Sequence, residues 1–551
     1  MKRTLGIFCF ILFLNFAYGA LPAPMVITKY GAVVGSAQIT QDGTVINEFM
    51  GIPFAQPPVG KLRWEKPATP IPWTSPLNTT AYKQGCIPCM SGQVESFGAT
   101  EDCLYLNVWT PDLQGSLPVL FYIHGGAYTG GSAADFPPQS WREVWSRRGI
   151  VVVTIQYRLA ELGFLTTNDS RIVANLGLWD QNMALRWVQD NIGRFGGNSK
   201  RVTIYGGSAG SSSVSQHTMS PYSKDLFQQA IAMSGSAMAE FARGTNTLDF
   251  SNLYFKKLKC DTAPDIKACM QSKTLDELYK VEAGYEGSCG PSSLDWLGFA
   301  PIIDGDFLPV QPEIAFKNAY NIPIIMGLNQ KEGRVFTLEA NYPFSVLPPG
   351  YSKYTPTSFA NYIATWITSR NYATSENATA HTDIFSFYSQ NTTGANDHYF
   401  WIEQYVRSYS DYIMNVPAVR EALAKTAAGV PVFAFIFDHY NNQTWPVTFP
   451  CQGSTHSGDS PYVLDAGFSF TPTVEDVATA NNIQELFVQF IHTGNPSTNH
   501  INWDKFGSKL EYLSLSEKPV MKTDWFGPSY RFWTEAMKKY SYDFISGQYW
   551  K

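Results

Sequence analysis

The chain has 551 residues, of which 44% are hydrophobic and 16% are charged, a composition that excludes a disordered or low-complexity protein and allows a large buried core. Forty Lys and Arg against 46 Asp and Glu give a formal net charge of −6, so no basic surplus is present to bind a phosphate backbone, and nucleic acid is not an expected partner. Aromatic residues make up 15% of the chain and indicate a rigid body with aromatic-lined concavities.

The first twenty residues have the pattern of a signal peptide. Lys2 and Arg3 precede an apolar run from Leu5 to Ala17, and the small residues Gly19 and Ala20 follow it. The run is shorter than the roughly 20 residues that a spanning helix needs. We therefore predict a signal peptide over residues 1–19, with cleavage after Gly19 or Ala20, and a signal anchor is the alternative. The rest, residues 20–551, contains no repeat, linker or spanning segment and is expected to form one secreted or lumenal domain.

Export agrees with two further features of the sequence. Five acceptor triplets for N-glycosylation are present, at Asn78, Asn168, Asn377, Asn391 and Asn442. We expect Asn168 to lie too close to packed structure for modification. Beyond the predicted signal peptide seven cysteines remain, and in an oxidising compartment an odd number leaves at least one free or in an intermolecular bond. Cys86 and Cys89 lack a second pair that would complete a zinc site, so no metal is expected.

Apolar runs of strand length recur along the chain and alternate with helical patterns. The runs are continuous rather than alternating, which is typical of strands covered on both faces. They lie at 118–123, 150–155, 202–205, 230–234, 322–328 and 432–437. A helix over 178–192 is predicted as a crossover connection. The sequence thus predicts an α/β fold with a large, mostly parallel sheet flanked by helices.

The segment from about 342 to 393 has a different composition. It is rich in Tyr, Ser, Thr and Asn, and its apolar residues show only weak periodicity. We expect surface loops and short helices there, inserted into the main fold.

The strongest chemical motif is G-x-S-x-G at 206–210. It follows the predicted strand at 202–205 and precedes a stretch able to form a helix. A sharp strand-to-helix turn forces the serine into an unusual backbone conformation, and only small residues two positions away avoid collision. The hydroxyl then stands exposed at the helix N-terminus. Ser208 is therefore the candidate nucleophile.

A second glycine-rich turn follows the strand at 118–123 and runs from His124 to Tyr128. Acyl transfer builds negative charge on the carbonyl oxygen, which backbone amides held in place stabilise. Gly126 and Ala127, together with Ala209 after the serine, are the candidate oxyanion-hole donors. The alternative is a purely structural turn.

Four segments in this order carry a family resemblance: 101–107, 124–128, 175–181 and the serine motif at 206–210. Together they resemble the type-B carboxylesterases of the cholinesterase and lipase group, over essentially the whole mature chain. The resemblance implies an α/β-hydrolase fold with a deep gorge that leads to a Ser-His-Glu triad, and a reaction that needs no cofactor.

A serine nucleophile needs an imidazole to accept its proton and a carboxylate to orient that imidazole. In α/β-hydrolases the chain order is serine, acid, histidine. The resemblance places the acid in the turn at 329–333 and thus at Glu332. Asp304, in the segment 301–305, is the alternative, although the family uses that motif structurally.

Among the histidines after Glu332, His456 lies in the Gly- and Ser-rich loop 453–459, where an imidazole is free to reach another loop. The family pattern around the catalytic histidine matches His456, Asp459 and Tyr462. Ser457 stands where the family usually has Gly, and Asp459 where it usually has Glu. We expect His439 to serve in capping or packing, and four others to lie at the surface, namely His381, His398, His492 and His500.

The resemblance also assigns supporting residues. Ser234 matches a serine that hydrogen-bonds near the triad acid, with an ordinary turn hydroxyl as the alternative. Two disulfides are implied, Cys86–Cys103 and Cys260–Cys269, and Cys89–Cys103 is the alternative to the first. Cys289 and Cys451 match neither pair.

The expected function is hydrolysis of a small-molecule or lipid carboxylic ester. The alternative is an adhesion or storage protein that keeps the fold without the activity, as some members of the family do. Choline esters are not the expected substrate, because cholinesterases bind the quaternary ammonium with a Trp in the first disulfide loop and an acid before the nucleophile. Here no Trp lies between Cys86 and Cys103, where Phe97 is only a weak substitute, and Gly207 precedes Ser208.

Overall fold

The computed structural model describes residues 21–89, 98–283, 298–339, 344–348, 350–368, 374–390, 397–443, 450–464, 468 and 470–550. Its strands are β1 (Met25–Ile27), β2 (Ala32–Val34), β3 (Ser36–Ile39), β4 (Val45–Pro53), β5 (Leu77–Asn78), β6 (Tyr105–Thr110), β7 (Leu117–Ile123), β8 (Val151–Ile155), β9 (Gly197–Gly207), β10 (Gln229–Met233), β11 (Ile324–Asn329), β12 (Val432–Phe437), β13 (Tyr512–Leu515), β14 (Val520–Lys522), β15 (Tyr542–Asp543) and β16 (Gln548–Tyr549). The predicted signal peptide and Asn391 lie outside the described residues.

The helices surround the sheet and carry short 3₁₀ or π turns at several of their ends. They are α1 (Pro138–Ser140), α2 (Ala160–Phe164), α3 (Leu176–Asn191), α4 (Ala209–His217), α5 (Thr247–Lys257), α6 (Ile266–Gln271), α7 (Leu275–Ala283), α8 (Pro312–Ala315), α9 (Pro356–Thr368), α10 (Thr374–Tyr388), α11 (His398–Ser410), α12 (Val416–Ala427), α13 (Ser460–Leu464), α14 (Val474–Thr493) and α15 (Gly527–Thr534). Among the described residues, no helix combines the length and apolarity needed to cross a membrane.

Within the described residues, eleven strands form the central sheet, in the order β14-β13-β12-β11-β10-β9-β7-β8-β6-β4-β3. The seven strands from β13 to β8 in this order pair in parallel, and the flanking strands at both edges pair antiparallel. The prediction of a large, mostly parallel sheet is confirmed. Each predicted strand is present with bounds within about two residues, except that β9 begins at Gly197, five residues before the apolar run.

Both faces of the sheet are covered, which explains the continuous apolar runs. In β7, Val119 and Phe121 face one hydrophobic cluster while Leu120 faces the other. The first cluster contains Leu185 and Val188 of α3, the predicted crossover helix, and the second contains residues of α14. Alternate residues of one strand therefore enter different cores, so most positions on both faces are apolar.

The prediction of loops and short helices between 342 and 393 is wrong for much of that segment. Helices α9 and α10 have 13 and 15 residues. Phe359, Ile363 and Trp366 are fully buried along one face of α9, and Ile384 and Tyr388 along α10. Their spacing of three or four residues is that of an amphipathic helix, a pattern that the many Ser, Thr and Asn residues between them obscure.

The structure contains the disulfides Cys86–Cys103 and Cys260–Cys269. The alternative Cys89–Cys103 pair is wrong, because Cys103 is bonded to Cys86, and Cys89 is itself disulfide-bonded. Cys451 is buried and is a free thiol. Cys289 lies outside the described residues.

The acceptor asparagines differ in exposure. Asn78, Asn168 and Asn442 are exposed, and Asn377 is half-buried. The expectation that packed structure hinders access to Asn168 is therefore wrong, because the asparagine lies in an exposed turn with a φ of 55°.

Candidate active site

The predicted site residues meet at one edge of the sheet. Ser208 directly follows β9, the turn at 124–128 follows β7, and Ser234 follows β10. Glu332 lies three residues beyond β11, and the loop that contains His456 follows β12. These five strands are parallel, so their carboxyl ends lie at the same edge, which is where open α/β sheets place their ligands.

Ser208 occupies a sharp turn between β9 and α4. Its φ of 57° and ψ of −124° lie outside the regions that L-residues favour. A Cβ atom at Gly206 would lie 2.4 Å from the carbonyl group of Gly210, and one at Gly210 would lie 2.2 Å from the carbonyl oxygen of Ile123. The two flanking glycines are required because backbone occupies the space that side chains would need.

The turn at 124–128 lies against the serine. A Cβ atom at Gly125 would come within 3.1 Å of the Ser208 Cβ and 2.8 Å of the Gly207 carbonyl oxygen. Gly126 and Ala127 both have positive φ, 109° and 56°. The glycine-rich turn is thus packed directly against the turn that carries Ser208.

Three side chains from separate loops form a continuous hydrogen-bonded chain. The Nε2 atom of His456 lies 2.9 Å from Ser208 Oγ, and its Nδ1 atom lies 2.6 Å from Glu332 Oε2. Because the carboxylate can only accept, Nδ1 carries a proton, and in the neutral ring Nε2 is free to accept the serine proton. This is the geometry of a nucleophile, a base and the acid that orients the base.

Glu332 is fully buried, yet each of its hydrogen-bond partners is a donor. Besides His456, it accepts hydrogen bonds from the amide of Asn329 at 2.6 Å and from the hydroxyl of Ser234 at 2.5 Å. The side-chain amide of Asn329 in turn donates to Ser234 Oγ at 3.2 Å. A carboxylate with several donors is satisfied in the interior and fixed in orientation.

Backbone contacts join the loop of Glu332 to the loop of His456. The amides of Gln330 and Lys331 donate to the hydroxyl and the carbonyl of Ser454, at 2.9 and 2.8 Å. The amide of Val335 donates to the hydroxyl of Thr455 at 2.9 Å. The two loops, more than 100 residues apart in sequence, therefore form one structural unit.

The three candidate oxyanion donors are backbone amides near the serine that make no hydrogen bond to any described residue. Within the described part of the chain, the amides of Gly126, Ala127 and Ala209 donate to no acceptor. Ala209 is the first residue of α4, where helix geometry leaves the amide without an internal partner. Free amides at a helix N-terminus and in a turn are suited to bind a developing negative charge.

The alternative residues serve other contacts. The Asp304 carboxylate accepts the amides of Asp306 and Leu308 and stabilises its own turn. The His439 imidazole is bonded to Asp476. Of the four histidines expected at the surface, His500 is exposed, whereas three are half-buried with a ring nitrogen bonded to a backbone carbonyl, namely His381, His398 and His492.

Two residues that contact His456 or Glu332 were not predicted from the sequence. The Phe336 ring lies 5.2 Å from the His456 ring, between centroids, and Asn329 bonds to both Ser234 and Glu332. Their proximity to Glu332 in the chain is the only sequence signal for either residue. Aromatic residues and Asn are too common in loops for that signal to have been decisive.

Asp459, which follows His456 by three residues, lines the small cavity beside Ser208 together with Gly207, Ser457 and Ser460. It is 4% exposed. Burial, and then the negative charge of Glu332, raise the pKa of Asp459 to about 6. The site therefore contains a second carboxyl group that gains its charge at a higher pH than an ordinary aspartate.

Comparison with known proteins agrees with this geometry. A model of the carboxylesterase family matches residues 22–533, so the chain belongs to the carboxylesterase family. Its mostly parallel sheet flanked by helices is the α/β-hydrolase fold of that family, and the protein is a carboxylic ester hydrolase.

Several relatives are similar over most of their length. Gut esterase 1 of Caenorhabditis elegans is 32% identical, over 95% of this chain and 94% of that protein. The bile salt-activated lipase of Bos taurus is 29% identical, over 93% and 87% of the two chains. The acetylcholinesterase of Bungarus fasciatus is 30% identical, over 90% and 83%.

Proposed function

We propose that the protein is a secreted serine carboxylesterase that uses Ser208, His456 and Glu332 through an acyl-enzyme. The observation that carries the proposal is the unbroken hydrogen-bonded chain from Ser208 Oγ through both nitrogens of His456 to Glu332. A serine hydroxyl is a weak nucleophile at neutral pH, and an adjacent imidazole with a buried acid behind it is the arrangement that activates it.

In the first half of the reaction, Ser208 Oγ attacks the ester carbonyl carbon and its proton passes to His456 Nε2. The carbonyl oxygen becomes an anion and accepts the amides of Gly126, Ala127 and Ala209, which are worth several kcal/mol together because one such donor contributes about 3 to 4 kcal/mol. When the carbon–oxygen bond breaks, the imidazolium returns the proton to the leaving alcohol. The acyl group remains on Ser208.

Water completes the second half. His456 takes a proton from the attacking water, the tetrahedral intermediate forms again at the same three amides, and collapse releases the carboxylic acid and restores the serine hydroxyl. Glu332 keeps its charge throughout and stabilises the imidazolium in both halves. No metal or cofactor has a step in this sequence.

Ser234 is proposed to support the acid rather than to react. Its hydroxyl donates to the Oε1 atom of Glu332, while His456 occupies the Oε2 atom. The two oxygens are thereby distinguished, and the carboxylate cannot rotate without losing a hydrogen bond. This fixed orientation favours a single tautomer of the imidazole.

Secretion rests on the sequence and on the cysteines. The pattern over residues 1–19 supports a signal peptide, and disulfides such as Cys86–Cys103 and Cys260–Cys269 are typical of an oxidising compartment. We infer a secreted or lumenal glycoprotein, with Asn78, Asn168 and Asn442 the most accessible acceptors. The substrates are proposed to be neutral esters, either small molecules or lipids.

Covalent labelling tests the proposed nucleophile. A fluorophosphonate should modify folded wild-type protein, and peptide mapping should place the adduct on Ser208. The Ser208→Ala variant should fold, remain unlabelled and lose ester turnover by at least about 10⁴-fold. Ser212→Ala is a matched control on the same helical turn, since its hydroxyl bonds to the Ser236 carbonyl instead of to the triad. It should retain labelling. An adduct on another residue, or turnover by Ser208→Ala, would refute the assignment.

A further inference from the structure

The three proposed oxyanion amides belong to three peptide groups. In each group the amide has no acceptor among the described residues, but the carbonyl oxygen is hydrogen-bonded. Since the peptide is planar and trans, its N–H points opposite to its C=O, and a bond that fixes one fixes the other. The Gly126 carbonyl accepts the amides of Thr129 and Gly130, at 3.0 and 2.8 Å, and the Ser208 carbonyl accepts that of Ser212 at 3.0 Å. Backbone amides thus orient the amides of Ala127 and Ala209, and the Thr129 hydroxyl adds only a longer bond of 3.4 Å to the Gly126 carbonyl.

The third peptide differs from the other two. The Gly126 amide shares its peptide with the Gly125 carbonyl, and within the described residues no backbone amide donates to that oxygen. Its partner is a side chain, the Nδ1 atom of His124, at 2.8 Å. A carbonyl oxygen only accepts, so Nδ1 carries the proton.

His124 is held firmly in this position. It is 1% exposed, and its ring stacks on the Tyr157 ring with 4.3 Å between centroids. The Tyr157 hydroxyl donates to the His124 carbonyl at 2.9 Å. A Cβ atom at Gly131 would lie 2.7 Å from His124 Nδ1 and 2.3 Å from the Gly125 oxygen. A residue larger than glycine at 131 would therefore disrupt the hydrogen bond.

The surroundings also fix the charge of the ring. Burial lowers the pKa of His124, so the imidazole is neutral at neutral pH. Its Nε2 atom has no hydrogen-bond partner in the described part of the structure, which means that protonation would bury an unpaired N–H. One tautomer, with the proton on Nδ1, is therefore stable.

We propose that His124 is a positioning residue for the oxyanion hole: its Nδ1–H orients and polarises the Gly125–Gly126 peptide so that the Gly126 amide points at the developing oxyanion. This inference rests on the proposed function, because it assigns the hole to these three amides. His124 itself does not contact the substrate. It acts through a single peptide group.

The variants separate this role from general support of the turn. His124→Leu removes the donor and keeps an apolar side chain, whereas His124→Asn retains an N–H near the position of Nδ1. Tyr157→Phe keeps the stacked ring and removes only the bond to the His124 carbonyl. Loss of one oxyanion donor costs about 10²- to 10³-fold in kcat, and a misaligned donor costs part of that.

The measurements are kcat and KM on a neutral p-nitrophenyl ester and the inhibition constant of an alkyl trifluoromethyl ketone, which forms a tetrahedral adduct on the serine. We expect His124→Leu to lower kcat by about 10- to 100-fold with KM changed by less than about threefold. Inhibition by the ketone should weaken in parallel. His124→Asn should recover most of the loss, and Tyr157→Phe should differ from wild type by less than about threefold.

Two outcomes overturn the inference: undiminished kcat in folded His124→Leu, or an equal loss in Tyr157→Phe, which would show general anchoring of the turn. If His124→Leu does not fold, the test rests on His124→Asn. A kcat lowered by about 10²- to 10³-fold in that variant, the loss expected for a whole oxyanion donor, would also overturn the inference. By contrast, a wild-type protein without ester turnover or Ser208 labelling would refute the proposed function. The two failures are therefore distinguishable.

Discussion

Two regions of the molecule are stabilised in different ways. At the carboxyl edge of the sheet, Ala127, Tyr128, Ser208 and Ser234 all have positive φ, and loops are joined by hydrogen bonds to Glu332 and Ser454. In the described part of 350–390, by contrast, no non-glycine residue has positive φ, and aromatic side chains pack between regular helices. Of these two regions, the strained backbone belongs to the one where side chains must be aimed, and ordinary packing stabilises the segment 350–390, here called the insertion.

The comparison predicts that loss of the Glu332 charge, at the carboxyl edge of the sheet, lowers kcat far more than it lowers the stability of the fold. Glu332→Gln keeps the size of the side chain but loses the charge that stabilises the imidazolium and orients His456. We expect kcat to fall by about 10³- to 10⁴-fold with a much smaller change in KM. Steady-state kinetics on a neutral ester measures both constants.

Asp304→Asn is the matched control for this prediction. Its carboxylate stabilises a turn through the amides of Asp306 and Leu308, so the variant should change thermal stability more than kcat. If Asp304→Asn reduced kcat more than Glu332→Gln, the acid would have been misassigned.

In the insertion we expect the opposite: a substitution in its core should lower stability strongly and turnover little. Trp366 is fully buried, with ring centroids 5.0 Å from Tyr412 and 5.1 Å from Trp533. Trp366→Ala should lower the free energy of unfolding by about 3 to 5 kcal/mol, measured by denaturant titration. Turnover per labelled Ser208 should change by less than about threefold, because the described ring partners of Trp366, namely Tyr362, Tyr412 and Trp533, lie outside the triad.

Thr365→Ala on the exposed side of α9 is the control, and it should cost less than about 0.5 kcal/mol. Equal destabilisation by the two variants would show that the buried face of the helix does not stabilise the insertion.

The two regions also differ in how far the sequence predicts them. Ser208 could be chosen because small residues around a strained turn leave a strong signal. Glu332 and His456 could be chosen with the help of the family resemblance, and the structure brings these three side chains together. The parallel sheet could be predicted from apolar runs. Helices α9 and α10 could not, because their buried aromatic residues alternate with residues common in loops. Phe336 and Asn329 could not be picked out, because closeness to Glu332 in the chain is their only signal and their contacts exist only after distant loops meet.

A pH-dependent effect on stability is expected from Asp459. Its pKa is raised to about 6 in the folded protein, whereas an unfolded aspartate titrates near 3.9. Between about pH 4 and 6 the folded state therefore binds more protons than the unfolded state, so stability decreases as pH rises through this range. Asp459→Asn does not titrate and removes this decrease, which is at most about 3 kcal/mol.

The measurement is the difference in free energy of unfolding between Asp459→Asn and wild type at several pH values. Groups that titrate alike in both proteins cancel. The variant should gain relative stability from about pH 4 to about pH 7. A difference that is independent of pH would show that Asp459 titrates as an ordinary aspartate.

The smallest expected effect concerns the choice of substrate. A desolvated cation–π contact is worth about 2 kcal/mol, and the Trp that provides it in cholinesterases has no counterpart between Cys86 and Cys103. Gly207 also leaves the site without an acid directly before the nucleophile. We expect kcat/KM for p-nitrophenyl butyrate to exceed that for butyrylthiocholine by about tenfold or more, even though the chain is 30% identical to an acetylcholinesterase.

Gly207→Glu sharpens this prediction. A Cβ atom at Gly207 would meet the Met233 carbonyl oxygen at 3.9 Å, an ordinary contact, so a side chain can start at this position without a clash, directly before Ser208. The variant should raise kcat/KM for butyrylthiocholine relative to the neutral ester by about 3- to 10-fold, since a nearby opposite charge attracts the ammonium group. Gly207→Gln has the same size without the charge and should not change the ratio. A wild-type protein that preferred butyrylthiocholine, or an equal response to Glu and Gln, would show that other residues select the substrate.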